Sequence, residues 1–560
     1  MIRDEKPDKI DWLAAGILSL GALALLLATM DIGITRDESF YFHAAHQYIG
    51  WFEGLWTHLS TGHLSESFTK ADVDRFWSYN PEHPVVMKSL FALSHKLFHD
   101  KLEWMTDSTA FRLPGALSAS ALVGLVFIWT RQLAGRSAGL VAAAAILFQP
   151  RFFFHAHMAC FDVPITFFWF AVVYAYWRSF DSKKWAIGAG ILWGLALGIK
   201  LNAFFIPFVL GGHWVLANAR LLGKKDGQWS RPKFPWVFVS MLFIGTVLFF
   251  GLWPRHWFDT VNRVEWYLNF HLKHVHYFVN YFGQNLQKPP FPMSFPWVMT
   301  LVTVPLTILA SAALGVVGWV QERDVTGAAK SLWHDLKARE WFRSDVDGRG
   351  TGLLLLMNAL FPIALISVPS TPIFGGTKHW MPAMPFLAIM SGVGVAYAAA
   401  LLSKGRDTWR PRAMVVLGAL VVSSAMLQTA HIQPFGTSYY NEAIGSVRGA
   451  ADAGMMRQFW GYSSRQALPW INENAPQRAT VFIHNTTSFA WGTYRREKLV
   501  RQDLRATSME GSQFALFEHQ KAFQFNLIDL WDIYETRTPV HVIDVDGVPI
   551  LSVFKRAEKK

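Results

Sequence analysis

The sequence predicts a mainly α-helical membrane protein that crosses the bilayer about eleven times and ends in a small extramembrane α/β domain. Of its 560 residues, 52% are apolar and 16% are charged, whereas an average soluble domain is roughly 25% charged. The apolar residues fall in long runs, and charged residues collect between these runs and after residue 430. This composition excludes a disordered chain or a coiled coil. The single cysteine, Cys160, excludes a disulfide framework and a cysteine-based zinc site.

Eleven uncharged apolar runs are the candidate spans, since a helix needs about 20 residues to cross the hydrocarbon core. They cover residues 12–30, 113–130, 137–150, 163–177, 185–199, 201–219, 234–253, 293–320, 353–368, 380–402 and 413–430. The first run follows Arg3, Lys6 and Lys9 and has no small-residue cleavage site at its end. We therefore interpret it as a retained signal anchor.

The positive charges alternate between loops as they do in membrane proteins. With the N-terminus inside, six short inner segments hold 23 Lys and Arg residues, and four outer connections hold 7. Cytoplasmic loops collect Lys and Arg, so the net charge of +12 is mainly a topology signal, and nucleic-acid binding loses its main support. We expect a multi-pass protein of the inner or plasma membrane, with its two long loops, residues 31–112 and 254–292, on the periplasmic or extracytoplasmic side.

Two segments predicted on the outer side, the first loop and the C-terminal region, have sequence patterns that predict their structure. The first outer loop, residues 31–112, begins with an amphipathic stretch from Phe40 to Phe52 that predicts a helix in the membrane interface. After the membrane domain, residues 1–430, 28 of the last 130 residues are charged, so we expect residues 431–560 to form a water-soluble domain on the outer face. In that domain we predict a helix over 464–474, a strand over 480–485, and a hairpin of strands 540–545 and 548–554 around Asp546-Gly547.

Three polar motifs lie at the outer ends of adjoining spans. They contain Asp37 and Glu38, then Glu82 and His83, then His157 and Asp162. Each has a simpler structural explanation as a helix cap or a turn beside proline. Cationic or titratable groups share that side, namely Arg112, Lys200, Arg255, His256, Lys378 and His379. A carboxylate can take a proton from a hydroxyl, and cations or a metal can balance the charge of a leaving phosphate.

The order of these motifs resembles the protein O-mannosyltransferase and aminoarabinose transferase group (glycosyltransferase family 39-like). These are integral-membrane glycosyltransferases of the GT-C fold that use polyprenyl-phosphate sugars. The motifs, spread over roughly residues 12–480, are Arg36-Asp37-Glu38, Glu82-His83-Pro84, Phe111-Arg112-Leu113-Pro114, Asp162-x-Pro164, Gly198-Ile199-Lys200, Lys378-His379-Trp380-Met381-Pro382 and Tyr439-Tyr440-Asn441-Glu442 leading into Phe459-Trp460-Gly461-Tyr462.

The resemblance implies specific roles. Asp37 would be the general base, Glu38 would shape the site, and Asp162 would position the acceptor. The donor phosphate would meet cations from the set Arg112, Lys200, Arg255, Lys378 and His379. In the aminoarabinose branch the residue matching Glu82 ligates a metal, so Glu82 with His83 and His157 would hold a divalent ion whose identity stays open. No nucleotide-binding motif is present, and no nucleotide cofactor is implied.

The sequence departs from both branches at Glu82-His83-Pro84-Val85, where one branch has Glu-Lys-Pro and the other His-Pro-Pro. The sugar, a hexose or a pentose, and the acceptor, a protein, glycolipid or polysaccharide, therefore stay open. We expect a single displacement with inversion at the sugar carbon. The alternative is a secondary transporter with a soluble accessory domain. Transporters place ionisable residues within their spans, and the predicted spans contain no Asp, Glu, Lys or Arg, which favours the enzyme.

Overall fold

The computed structural model describes residues 5–218, 224–225, 228–229, 234–321, 349–403, 406 and 408–557. Its α-helices, numbered along the described chain, are α1 (Lys9–Ala28), α2 (Arg36–Thr61), α3 (Lys70–Trp77), α4 (Val86–His95), α5 (Asp107–Ala134), α6 (Arg136–Leu147), α7 (Pro150–Ala156), α8 (Asp162–Ser179), α9 (Lys183–Leu197), α10 (Ile206–Ala217), α11 (Trp236–Ser240), α12 (Thr246–Leu252), α13 (Thr260–Leu272), α14 (Phe295–Thr303), α15 (Leu306–Gln321), α16 (Thr351–Ile366), α17 (Met384–Ser403), α18 (Arg410–Ile432), α19 (Ser446–Asp452), α20 (Ser464–Asn474), α21 (Ser488–Arg496) and α22 (Gln524–Tyr534). The strands are β1 (Lys224–Lys225), β2 (Gln228–Trp229), β3 (Val279–Tyr281), β4 (Gln284–Leu286), β5 (Thr480–Ile483), β6 (Arg505–Ala506), β7 (Phe514–Glu518), β8 (His541–Val545) and β9 (Val548–Lys555).

Each of the eleven predicted apolar runs contains a helix. In the described chain four helices are long and apolar enough to cross a membrane, namely α1, α5, α18 and the stretch Met381–Ser403 that contains α17. Two further candidates are bent pairs: α6 and α7 meet at 70°, and α14 and α15 at 112°. Pro150 and Pro305 stand at these two breaks, where proline cannot donate the backbone hydrogen bond that would continue a helix. The chain is thus an integral membrane protein, and the count of eleven crossings stays a prediction.

The last part of the chain builds a five-stranded mixed sheet. Its strand order is β6-β5-β7-β9-β8, with β5 parallel to both β6 and β7 and with β9 antiparallel to β7 and β8. The predicted hairpin is confirmed, and its turn residues Asp546 and Gly547 both have positive φ, at 53° and 77°, as a two-residue turn requires. The predicted helix 464–474 is confirmed as α20, and the strand predicted to reach residue 485 ends at Ile483.

The first outer loop and the C-terminal part of the chain meet at the start of α2. There the Arg36 backbone N–H donates to the Trp460 carbonyl at 2.8 Å, and the Ile34 N–H donates to the Tyr494 hydroxyl at 2.7 Å. Gly33 lies so close to the Tyr462 carbonyl that a Cβ at this position would collide with it. Segments distant in sequence therefore fix the position of the first turn of α2, which carries Asp37 and Glu38.

Candidate active site

The sequence around Thr35 begins α2 with a reciprocal cap. The Thr35 side-chain oxygen accepts from the Glu38 N–H at 3.3 Å, and the Glu38 carboxylate accepts from the Thr35 N–H at 2.9 Å. This capping box satisfies backbone donors that the first turn leaves free. The cap is therefore Thr35, and Asp37 has no capping role. Consecutive helical residues point about 100° apart, so Asp37 and Glu38 face different surroundings.

Glu38 is fully buried and is held by Arg112. The guanidinium donates from Nε to Glu38 Oε1 at 2.8 Å and from Nη2 to Oε2 at 2.9 Å, and the Ala159 N–H also donates to Oε1 at 2.9 Å. The remaining donors of Arg112 go to the carbonyl oxygens of Met30, Ile32 and Gly33. The prediction that Arg112 binds the donor phosphate does not fit this arrangement, because the guanidinium is buried and its donors are engaged. Glu38 fixes the start of α2 through Arg112, and its role in shaping the site stays a prediction.

Asp37 has a more open environment. Its side chain is 31% exposed, and its Oδ2 lies 3.3 Å from the Lys378 ammonium. Lys378 itself is buried, with its Nζ 4.5 Å from the ring centroid of Trp460. Burial lowers the pKa of Lys378, but the negative charges of Asp37 and Asp162 offset this and hold the pKa above its ordinary value. Lys378 is therefore a charged ammonium that interacts electrostatically with both carboxylates.

Asp162 begins α8 and pairs with Lys200, whose Nζ lies 2.7 Å from Asp162 Oδ1. His155 approaches the other carboxylate oxygen at 3.7 Å. The Lys200 side chain is 19% exposed, so its ammonium remains accessible. Asp37, Asp162, Lys200 and Lys378, which the sequence placed in one site, are thus brought together as two adjoining ion pairs.

Tyr41 lies between the motif at His83 and the segment before Asp162, and the sequence analysis did not identify it. Its ring packs on Phe161 at 4.3 Å and meets the edge of His83 at 5.6 Å between centroids. Burial raises the pKa of Tyr41 well above its usual value, and the negative charges of nearby groups, Asp37 among them, add to this effect. Its position four residues after Asp37, on the same helical face, was the available sequence signal.

A buried lysine holds the turn at Glu82 and His83. Lys88 Nζ donates to the Asn80 carbonyl at 2.6 Å and to the His83 carbonyl at 2.9 Å, and the Asn80 side-chain amide donates to Glu82 Oε1 at 2.5 Å. Burial, followed by the charge of Lys88, lowers the pKa of His83 well below its ordinary value. Sequence reasoning missed Lys88 because a lysine inside an amphipathic helix usually points to solvent.

The predicted metal set of Glu82, His83 and His157 is not assembled. His157 instead meets Thr29 Oγ1 at 2.9 Å and the Phe153 carbonyl at 2.7 Å, which ties it to α1. Glu82 is contacted through its backbone carbonyl by His271 Nε2 at 3.0 Å. The three residues therefore do not fit a metal in this arrangement.

Two predicted phosphate ligands occupy the edge of the site. His379 Nε2 lies 2.6 Å from the Phe374 carbonyl, and burial, then the charges of Lys200 and Lys378, lower its pKa well below the usual value. A neutral His379 adds no positive charge, so its predicted cationic role does not hold. Arg255 is partly exposed, donates to Ser78 Oγ at 3.3 Å and lies over the ring of Trp266, so its guanidinium stays available at the rim.

Part of the chain matches the model of a known protein family. Residues 82–253 match the family model described as dolichyl-phosphate-mannose-protein mannosyltransferase, which confirms the resemblance to that group. No curated protein sequence matches the chain.

Among solved structures, ArnT from Cupriavidus metallidurans bound to undecaprenyl phosphate is 13% identical, with a TM-score of 0.47 over 97% of each chain. The archaeal oligosaccharyltransferase AglB from Archaeoglobus fulgidus, in complex with an inhibitory peptide and a dolichol-phosphate, is 10% identical, with a TM-score of 0.45. That alignment covers 88% of this chain and 65% of AglB.

Proposed function

We propose that the protein is a membrane glycosyltransferase that moves a hexose or pentose from a polyprenyl-phosphate donor to an acceptor hydroxyl. The transfer takes place on the outer face of the membrane in which the protein lies. The observation that carries the proposal is the Asp37–Lys378 pair, a partly exposed carboxylate 3.3 Å from a buried ammonium. The description of the matched family, which names a dolichyl-phosphate sugar, supports a lipid-phosphate donor.

In the proposed reaction, Asp37 removes the proton from the acceptor hydroxyl. The acceptor oxygen forms a bond to the sugar carbon with inversion, and the bond between that carbon and the phosphate oxygen breaks. The polyprenyl phosphate leaves with the bonding electrons, and Lys378 and Lys200 offset its added negative charge. A positioned base contributes typically 10²–10⁴-fold to such a rate.

The same arrangement gives Lys378 a second use before the reaction. Without donor, its ammonium neutralises Asp37, which keeps two carboxylates stable near each other. When a donor phosphate binds, the ammonium is shared with the phosphate, and the Asp37 carboxylate is freed for the acceptor hydroxyl. Asp162, whose charge is compensated by Lys200, positions the acceptor. The lipid tail of the donor lies between the spans.

The acceptor is a protein, a glycolipid or a polysaccharide of the cell envelope. The C-terminal sheet with its helices binds this acceptor or braces the loops above the site, since its residues Trp460 and Tyr494 contact the segment that leads into Asp37. The reaction takes place on the periplasmic or extracytoplasmic side.

Complementation of a strain that lacks the gene tests the proposal. We expect mass spectrometry of its glycans and glycoproteins to show a missing sugar, which wild-type protein restores and Asp37→Asn does not. Asp31→Asn is the matched control, because Asp31 is a nearby but 76% exposed carboxylate paired with Arg465, and it should restore the sugar. Restoration by Asp37→Asn would contradict the assignment of the base, and an unchanged glycan profile in the deletion strain would contradict the proposed function.

A further inference from the structure

A cluster of side chains that can ligate a metal lies outside the proposed active site. It consists of His46 on α2, His95 at the end of α4 and Asp107 at the start of α5, and we refer to it as the loop cluster. One ligand atom from each residue lies within 4.8 Å of the others. His46 follows Asp37 by nine residues, or two and a half helical turns, so it points to the opposite side of α2. The function proposed above leaves this cluster without a role.

The chemistry and spacing of the loop cluster suit a zinc-class ion. Imidazole nitrogens and a carboxylate oxygen are ligands that zinc commonly takes. Ligand atoms on a tetrahedral zinc are about 3.3 Å apart, since each bond is about 2.0–2.1 Å long. His95 Nε2 and Asp107 Oδ1 are 2.9 Å apart, so a displacement of a few tenths of an ångström would admit the ion between them.

The groups around the cluster orient its ligands as a metal site requires. The second nitrogen of His95, Nδ1, faces the Asp100 carboxylate at 3.6 Å, and its ring stacks on Phe111 with centroids 4.1 Å apart. The second oxygen of Asp107 accepts from Arg496 Nε at 2.7 Å. A hydrogen bond on a carboxylate ligand, as on Asp107, is an outer contact that holds a metal ligand in place. The Asp100 carboxylate lies near the second nitrogen of His95, where a further outer contact could form.

We propose that His46, His95 and Asp107 bind one divalent zinc-class ion, with water at the fourth position. His46 is exposed, which provides an entry path. The ion would join α2, α4 and α5 directly. Through Asp107 and Arg496 it would also reach α21 in the C-terminal region, where Glu497 already accepts from the Ser108 N–H at 2.7 Å. The site is structural, and it fastens the C-terminal region to the first outer loop.

Zinc binding to the purified full-length protein in detergent tests this inference. After removal of metal with a chelator and addition of zinc, we expect one zinc ion per chain by mass spectrometric metal analysis. Co²⁺ added in its place should give the intense visible absorption of a tetrahedral site. His46→Ala should weaken zinc binding by more than 100-fold. Arg496→Ala should weaken it by roughly 10- to 100-fold, the range for an outer contact of a ligand.

His43→Ala is the matched control, because His43 lies on the same helix and pairs with Gln47; it should bind zinc as the wild type does. Circular dichroism and gel-filtration elution report whether each variant folds. The Co²⁺ spectrum of the wild type tests the site even if a variant does not fold. The proposal fails if the wild type binds no zinc, or if His46→Ala retains full affinity. It also fails if His99→Ala or Glu82→Gln abolishes binding while His46→Ala does not, since the ion would then lie elsewhere.

Discussion

Asp37 and Glu38 are consecutive carboxylates on the first turn of α2, and the fold surrounds them in opposite ways. Glu38 is buried and bonded at both oxygens by Arg112, at 2.8 and 2.9 Å. Asp37 is 31% exposed and has one ammonium, that of Lys378, at 3.3 Å. The same residue chemistry at neighbouring positions therefore has a structural use on one face and remains available for reaction on the other.

The difference shows why two adjacent acids can be useful at one site. The Glu38–Arg112 pair fixes the backbone before α2, since Arg112 also binds the carbonyls of Ile32 and Gly33. With this segment fixed, Asp37 can be held beside Lys378 without further bonds to its own carboxylate. Bonds to the ionised carboxylate would stabilise it and lower its basicity, so few partners suit a base.

The largest effect is expected from breaking the buried pair. Glu38→Gln leaves the Arg112 charge buried without its counter-ion, and removal of one partner of such a pair typically costs about 3–5 kcal/mol. We expect a large decrease in the thermal unfolding midpoint of the protein in detergent, with loss of transfer as a consequence of misfolding.

Asp37→Asn is the matched variant at the partly exposed carboxylate. Its carboxylate is partly exposed, and such ion pairs contribute about 1 kcal/mol or less, so its unfolding midpoint should stay close to that of the wild type. Equal destabilisation by the two substitutions would contradict the distinction between the faces.

Glu518 in β7 extends the comparison to a buried carboxylate without a cation. It accepts hydrogen bonds from Asn485 Nδ2 at 3.0 Å and Gln520 Nε2 at 2.8 Å, and Ser463 Oγ lies at 3.3 Å. Burial raises its pKa from 4.5 to about 7, although these hydrogen bonds act in the opposite direction. Below about pH 7, the protonated form of Glu518 is therefore favoured in the folded state.

The pKa of Glu518 predicts a pH dependence of stability. Between pH 4.5 and 7 the folded state binds more protons than the unfolded state, so stability is fully present below pH 4.5 and is lost as the pH rises through 7. A pKa difference of this size corresponds to up to about 3 kcal/mol. Glu518→Gln removes the titration and should unfold at a higher temperature than the wild type at pH 8, with a smaller difference at pH 5. A constant difference between pH 5 and pH 8 would contradict this explanation.

The sequence predicted the helices well because hydrophobic runs are local signals. All eleven predicted runs contain a helix, and the turn at Asp546-Gly547 follows from the conformational preference of these two residues. The bends of 70° and 112° were not predicted, because a run of apolar residues reads the same across a bend.

The site was predicted in part, for a related reason. Asp37, Asp162, Lys200 and Lys378 lie together, as two ion pairs, and the sequence grouped them because the predicted topology puts them at one membrane face. The roles of Arg112 and His157 could not be read from the sequence, since their partners Glu38 and Thr29 are 74 and 128 residues away. Helix packing decides which cation pairs with a carboxylate and which one is left for a phosphate. The pattern of a single sequence does not contain that information.

The effect expected at Lys378, the cation beside Asp37, is on lipid binding rather than on stability. A hydrogen bond to a charged group contributes about 1.5–3 kcal/mol, so Lys378→Met should weaken binding of a polyprenyl phosphate roughly 10- to 100-fold, as followed by the tryptophan fluorescence of the purified protein. Lys273→Met is the control, because Lys273 is an exposed lysine at the end of α13, and it should bind normally. Because the carboxylate left without this ammonium, Asp37, is partly exposed, the same substitution should leave the protein folded, in contrast to Glu38→Gln. If Lys378→Met bound the lipid phosphate with wild-type affinity, the donor would not bind beside Asp37 and Lys378. Asp37 and Glu38 would then differ only in how they are packed.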